Sequence, residues 1–214
     1  MMYQSLENFS LRKINYVKTR TTILKTVANL LKQEEFADIT VDEICQKAQI
    51  SRGTFFNYFS TKEHIFYYYL RIFTVRIALR MKEWPQELGF HEKVEMIYEW
   101  FKADKQYAKF FTNFINFVLN VGEDANEMKL IDAEFVYFFN GITEEEYDDY
   151  NKLTLGKLFA GLCEDAGNKG EIVLKADPTT LSSLLIGTLS AAHISDIIAP
   201  DESHLDIFEK MWYK

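Results

Sequence analysis

An all-α fold is predicted for this chain, with a small three-helix module at the N-terminus and a larger helical body behind it. Three observations predict it. Three prolines and nine glycines in 214 residues leave long stretches free to propagate helix, and no segment alternates apolar and polar residues as a strand does. Ser, Thr or Asp stands repeatedly just ahead of helix-forming runs. Charge is divided unevenly: residues 1–80 hold twelve Lys/Arg against seven Asp/Glu, and residues 81–214 hold twelve against twenty-five. All six arginines (Arg12, Arg20, Arg52, Arg71, Arg76, Arg80) fall in the first part.

Capping residues and breakers then place each element. Thr40-Val41-Asp42-Glu43 has the form of a capping box, as do Ser60-Thr61-Lys62-Glu63 and Thr143-Glu144-Glu145-Glu146. Ser51 caps without a box, Asp177-Pro178 sets Asp at the cap with Pro at the first helical position, and Asp201 caps the last helix. Breaks are expected at Pro85, Gly89, Gly122, Gly141, Gly167 to Gly170 and Pro200. The predicted helices run over 15–33, 41–48, 52–58, 62–83, 90–103, 105–120, 126–140, 144–167, 178–198 and 202–213. The acidic run Glu144 to Asp149 reads as a solvated first turn, where negative charge suits the helix dipole, rather than as a metal site.

Two short helices, 41–48 and 52–58, flank a tight turn at Gln49-Ile50. Ile39, Val41, Ile44, Ile50, Phe55 and Phe59 can hold them and a preceding helix together. This is the arrangement in which a second helix enters the DNA major groove. From its N-terminus Arg52 can fork onto guanine, and Thr54 and Asn57 can read other base edges. The basic head agrees, because phosphates attract positive charge, while the acidic body suits some other task.

The run Ile44-Cys45-Gln46-Lys47-Ala48-Gln49-Ile50-Ser51-Arg52-Gly53-Thr54-Phe55-Phe56-Asn57-Tyr58-Phe59-Ser60-Thr61-Lys62-Glu63 resembles the TetR-family signature. Its parts are a small-residue helix, Ser-x-Gly-Thr, an aromatic cluster ending in Phe, and Lys-Glu opening the next helix. The similarity is strong over about residues 18–66, and beyond them only the helical plan is shared. The resemblance implies a helix-turn-helix DNA-binding domain over 1–61 and a ligand-binding and dimerisation domain over 62–214. It implies that Thr40 and Lys62 touch phosphates and that Gly53 lets the backbone approach DNA. With Ser51, Arg52, Thr54, Asn57 and Tyr58 these residues form the expected DNA-binding set. Two departures stand out. Gln49 occupies a turn position where the family often has Gly, so the turn is strained or differently shaped. Phe56 replaces a frequent Tyr whose hydroxyl reaches a phosphate, and Tyr58, in place of a frequent His, is expected to substitute for it. Arg12, Lys13, Lys18 and Arg20 are read either as further phosphate contacts or as solubilising charge.

The body is rich in aromatics between residues 84 and 140. At helical spacing these supply core. The resemblance further implies an effector pocket, for which Trp100, Tyr107, Phe110, Phe111, Phe114, Phe117 and Phe138 are the candidates. Such a lining suits an apolar or aromatic small molecule, with Asn113, Asn116 and Asn120 as polar partners. Glu134 reads either as a further polar partner of that ligand or, by preference, as an ordinary solvent-facing charge. The 178–198 helix is apolar or small nearly all round, so more than one side must be covered. Its face Leu181, Leu184, Leu185, Thr188 and Ala192 is assigned to a homodimer, as the resemblance implies. The helix from Lys62 to Glu83 is the expected lever between DNA reader and pocket.

Other classes find little support. Cys45 and Cys163 make no metal spacing; a reducing cytoplasm fits them, and Cys45 reads as a buried small hydrophobe. No signal peptide or convincing transmembrane run is visible. No HExxH, GxSxG, Walker loop or GxGxxG occurs, so no catalytic residue, cofactor or metal is expected, and His193 with Asp196 is noted as a histidine–carboxylate neighbour pair at helical spacing. The function read from the chain is a DNA-binding transcription regulator, a repressor released from its operator by a small molecule. The alternative is a ligand-binding or protein-interaction module with a vestigial helix-turn-helix.

Overall fold

The computed structural model describes residues 5–103, 128–173 and 176–198. Among them are nine α-helices and no strand. They are α1 (Leu11–Leu30), α2 (Val41–Ala48), α3 (Arg52–Tyr58), α4 (His64–Lys82), α5 (Phe90–Ala103), α6 (Asp132–Phe138), α7 (Tyr147–Lys152), α8 (Leu155–Asn168) and α9 (Pro178–Ile198). The expected helices at 105–120 and 202–213 lie outside the described residues.

Caps explain most of the boundaries. Thr40 Oγ1 accepts the Glu43 N–H at 3.1 Å, and Ser51 Oγ accepts the Thr54 N–H at 2.9 Å. Asp177 Oδ1 accepts the Thr179 and Thr180 N–H groups at 3.0 Å each, with Pro178 opening α9. The Thr143 box closes as expected: Glu146 Oε2 accepts the Thr143 N–H at 3.0 Å. Four boundaries differ from the sequence reading. Ser10 caps α1 by accepting the Lys13 N–H, so this helix begins four residues early. The Lys62 and Glu63 carbonyls accept i→i+3 bonds from the Ile65 and Phe66 N–H groups, a tighter first turn, and α4 is regular from His64. Of the expected 126–140 helix, the described residues 128–140 are regular over Asp132–Phe138. The expected 144–167 helix is broken at Leu153-Thr154, because Thr154 Oγ1 accepts the Lys157 N–H and starts α8 afresh.

The turn after α2 is the one non-glycine position with positive φ among the described residues: Gln49 sits at φ 57°, ψ 44°. The bond from the Ile50 N–H to the Cys45 carbonyl, 2.9 Å, closes it. A side chain in this left-handed region crowds its own backbone. Gln49→Gly is therefore expected to raise stability by about 1 kcal/mol, measurable by urea unfolding; an unchanged or lower midpoint would show that the strain is absorbed elsewhere.

The chain forms two compact units. The first holds residues up to Arg76 together with the 128–152 segment, and the second holds residues from Ile77 to Ala103 together with α8 and α9. In the first, α1 packs on α2 and α6. Ile23, Val27, Ile39, Ile44, Phe55 and Phe66 form its fully buried centre. In the second, α8 lies along α9. Phe159, Leu162 and Cys163 are buried on one helix, and Leu181, Leu185, Leu189 and Ala192 on the other.

That burial divides the face assigned above to a partner. Leu181, Leu185 and Ala192 are covered within their own chain, Thr188 is half-buried, and Leu184 is 54% exposed. The uncovered side of α9 is instead Leu184, Gly187, Ala191, Ile194 and Ile198, spaced by three and four residues. The apolar residues wrap the whole helix, so composition alone could not say which stripe its own chain covers.

Candidate nucleic-acid interface

Helices α2 and α3 form the reader. Phe55 and Phe59 anchor α3 from below, both essentially inaccessible, and Ile44 and Ala48 anchor α2. Burying one side of so short a helix leaves the opposite side to solvent. There Ser51, Arg52, Gly53 and Asn57 are exposed, while Thr54 and Tyr58 are half-buried. Thr40 is also exposed, at the N-terminus of α2.

Several of these groups are occupied within the chain. Arg52 pairs with the exposed carboxylate of Asp42 and lies over the Phe56 ring, 5.8 Å from its centroid. Both partners are solvated, so the pair is weak and easily exchanged for a base edge. The Ser51 and Thr54 hydroxyls share a 2.8 Å hydrogen bond. Tyr58 packs against Tyr16 at 5.0 Å between ring centroids, which fixes its ring on the first helix. Phe56 is 46% exposed, an apolar ring on the surface.

Gly53 is informative through what it does not touch. A Cβ built there meets only Ser51 Oγ, at 3.7 Å, an ordinary contact. Packing inside the chain therefore does not require glycine. Gly53→Ala is expected to stabilise α3 by up to about 1 kcal/mol while weakening DNA binding through the lost close approach. Melting curves and a DNA titration on one preparation separate the two effects; unchanged DNA affinity would remove Gly53 from the interface.

Lys62 sits differently from its sequence reading. Its ammonium donates to the carbonyls of Phe36, Ala37 and Ile39 at 2.8, 3.2 and 2.8 Å, and lies 4.6 Å from the Phe36 ring centroid. Three carbonyls match the three protons of an ammonium. A phosphate contact by Lys62 thus requires exchange of these bonds.

The largest surprise is Arg20. It is 1% exposed, and Glu134 is 0% exposed. Arg20 Nη1 donates to Glu134 Oε2 at 3.0 Å, and the guanidinium lies 3.9 Å from the Tyr68 ring centroid. The Tyr68 hydroxyl donates to Glu134 Oε1 at 2.7 Å, and the Ile131 N–H donates to Oε2 at 3.0 Å. Burial pushes the Glu134 carboxyl above its ordinary range, opposed by the Arg20 charge and by these two hydrogen bonds. Arg20 is thus no phosphate contact, and Glu134 no solvent-facing charge. The pair joins α1 to α6 and, through Tyr68, to α4.

Of the expected effector lining, Tyr107, Phe110, Phe111, Phe114 and Phe117 lie outside the described residues, as do Asn113, Asn116 and Asn120. Trp100 stacks on Trp84 at 5.5 Å in the second unit. Phe138 meets Tyr68 edge-on at 6.2 Å in the first. Cys45 and Cys163 are both buried thiols, and burial raises both, Cys163 to about 11. Neither is a ready nucleophile. Asp196 accepts from the Tyr98 hydroxyl at 2.5 Å and faces Lys102 at 3.6 Å. Among the described residues no cluster of His, Cys, Asp and Glu could hold a metal ion, and no helix is long and apolar enough to cross a membrane.

Comparison with known proteins agrees with the reader. The family profile described as "Bacterial regulatory proteins, tetR family" matches residues 23–68, which span the end of α1, all of α2 and α3, and the start of α4. An uncharacterised HTH-type transcriptional regulator of Bacillus subtilis, YdgC, is 25% identical over 186 residues, covering 81% of this chain and 91% of that protein. EthR of Mycobacterium tuberculosis, another HTH-type transcriptional regulator, is 49% identical over 43 residues, 20% of each chain. In fold, the chain is similar to Salmonella enterica GusR, with a TM-score of 0.60 at 18% identity, over 91% of this chain and 93% of that one. It is similar also to Thermus thermophilus FadR, a TetR-family repressor solved with lauroyl-CoA, with a TM-score of 0.59 at 18% identity, over 89% and 90%. An exposed reading helix on a buried aromatic anchor, within the segment that the family profile spans, supports one conclusion: residues 23–68 are similar to the DNA-binding domain of the TetR family, and the chain is a DNA-binding transcriptional regulator.

Proposed function

We propose that this regulator is a cytoplasmic homodimer that represses transcription and leaves its operator when a small molecule binds. The single observation that carries the DNA half is the solvent-facing edge of α3, where Arg52 and Asn57 project from a helix held by Phe55 and Phe59. Functionally the boundary falls at 61/62, with residues 1–61 reading DNA and 62–214 binding ligand and partner. The reading face comprises Thr40, Ser51, Arg52, Gly53, Thr54, Asn57 and Tyr58. The uncovered stripe of α9 supports the dimer: Leu184, Ile194 and Ile198 are exposed, with Gly187 and Ala191 between them allowing a second helix to come close. A twofold dimer reads a near-palindrome with half-sites about one DNA turn apart, roughly 34–36 Å.

Ligand control is supported by similarity in fold to ligand-bound regulators, FadR with lauroyl-CoA among them, and by the aromatic content of the body. The Arg20–Glu134 pair supplies a physical route within the first unit. A ligand that favours another setting of the 128–138 segment must move Glu134, and α1 carries α2 with it. The shift is limited to the ligand's difference in affinity for the two settings. Operator must then weaken ligand binding by the same factor. Equal calorimetric affinities with and without operator would contradict this control while leaving DNA binding untouched.

Lys62 tests the interface boundary. If it exchanges its carbonyls for a phosphate, Lys62→Gln lowers the salt slope of binding by about 0.9. If it only staples the 36–39 turn, the slope stays and the unfolding midpoint falls. We expect the second outcome, because all three of its protons are already bonded. A reduced slope at unchanged stability would restore Lys62 to the phosphate contacts.

A further inference from the structure

The second compact unit contains a groove of about 780 Å³ that the DNA-binding reading does not use. It is lined from the end of α4, the turn behind it, α5 and α8. Its apolar wall includes Met81, Trp84, Leu158 and Leu162. Trp84 is held rigid there: its ring stacks on Trp100, which in turn lies under Arg80 at 4.7 Å. The Trp84 indole N–H is inaccessible and has no acceptor.

Its charge is the anomaly. Residues 81–214 hold twelve lysines against twenty-five acids. Four of those lysines, Lys82, Lys93, Lys157 and Lys169, line this one groove, and among its described lining residues the one acid is Asp165. The second unit, residues 77–108 and 153–214, holds ten Lys/Arg against fifteen Asp/Glu, yet among the described lining residues of this concavity positive charges exceed negative ones by three. Asp165 sits between Lys93 at 3.3 Å and Lys169 at 3.0 Å, so the carboxylate is shared, and Lys93 is 9% exposed. Ammonium groups crowded in this way repel one another, and an anion relieves the repulsion. Lysine stems also cover apolar surface while their heads stay wet, which gives the groove an apolar floor and a cationic rim. The volume lies within the usual range for a small-molecule site.

We propose that this groove binds an anionic amphiphile: an apolar tail against Trp84, Leu158 and Leu162, and a phosphate or carboxylate head on Lys93, Lys157 and Lys169. The lining residues named here all belong to the second unit, and the site stands whether or not the chain binds DNA.

Gly161 provides the cleanest probe. It lines the groove on α8, and a Cβ built on it meets nothing within 4 Å. Gly161→Leu therefore adds apolar bulk at the groove with no clash at its Cβ, and leucine favours helix over glycine. The full-length protein is titrated calorimetrically with dodecyl phosphate, dodecanoate and dodecyltrimethylammonium, each below its micelle concentration. The three share a tail and differ in head. Saturable one-to-one binding of the phosphate, the carboxylate or both is expected, with the ammonium at least tenfold weaker; which anion binds tighter tells a phosphate-bearing from a carboxylate ligand. Lys157→Gln/Lys169→Gln should weaken the anions about tenfold or more, and Gly161→Leu should abolish binding. Each variant is checked for parental melting and elution volume. A variant that fails this check is replaced by Leu158→Gln, which polarises the floor and is expected to weaken all tails. Equal binding of all three heads, no binding of any, or unchanged binding in the folded variants would each overturn the proposal.

Discussion

Replacing Arg20 with methionine is expected to destabilise the protein by about 3–5 kcal/mol, since it strands a buried carboxylate without its partner. Glu134→Leu should be as damaging for the converse reason. The double variant, Arg20→Met with Glu134→Leu, should recover much of the loss, because a buried ion pair replaced by apolar groups of similar volume is often neutral. Chemical unfolding of the four proteins gives the coupling directly. Single variants within about 1 kcal/mol of the parent would mean that the pair is solvated and that the described burial is wrong. The double variant has a second use. If the pair also carries the ligand signal, that protein binds operator and ligand yet no longer couples them.

Arg52→Ala and Asn57→Ala are expected to cost on the order of 1–3 kcal/mol each against the operator, about 5- to 150-fold in affinity. The two should differ on scrambled DNA. Asn57 is neutral, so its loss should touch only the specific complex. Arg52 also carries charge, so its loss should weaken both. Anisotropy titrations of each variant on operator and scrambled duplex make the comparison. If Arg52→Ala, Thr54→Ala and Asn57→Ala all retain full selectivity, α3 does not lie in the groove as assigned.

What was legible in the sequence was local. Helices α2, α3, α5 and α9 fall where caps and breakers put them, because a cap is written within three or four residues of the helix it starts. The strained turn was also visible, since Gln49 stands where a left-handed residue is needed. Misreadings came from two sources. Weak caps inside helix-favouring runs were overlooked: Ser10 was not credited, and Thr154 hid within a continuous helical pattern. Long-range pairing left no local trace. Arg20 and Glu134 are 114 residues apart, and each looks like an ordinary surface charge beside its neighbours. The same limit applies to the lysine groove, whose rim is drawn from α4, α5 and α8. The apolar wrapping of α9 announced that the helix is covered on several sides, but packing on α8 decides which side remains open.

The central claim is that α2 and α3 deliver sequence-specific DNA recognition by a twofold assembly. Repeated selection of the purified full-length chain on a pool of random duplexes tests it without assuming where the operator lies. The account predicts enrichment of a near-palindrome bound at least about 10³-fold more tightly than a scrambled duplex of equal length, with enrichment lost in the Arg52→Ala/Asn57→Ala protein. A pool that stays random through successive rounds, with equal affinity for every duplex recovered, would contradict it.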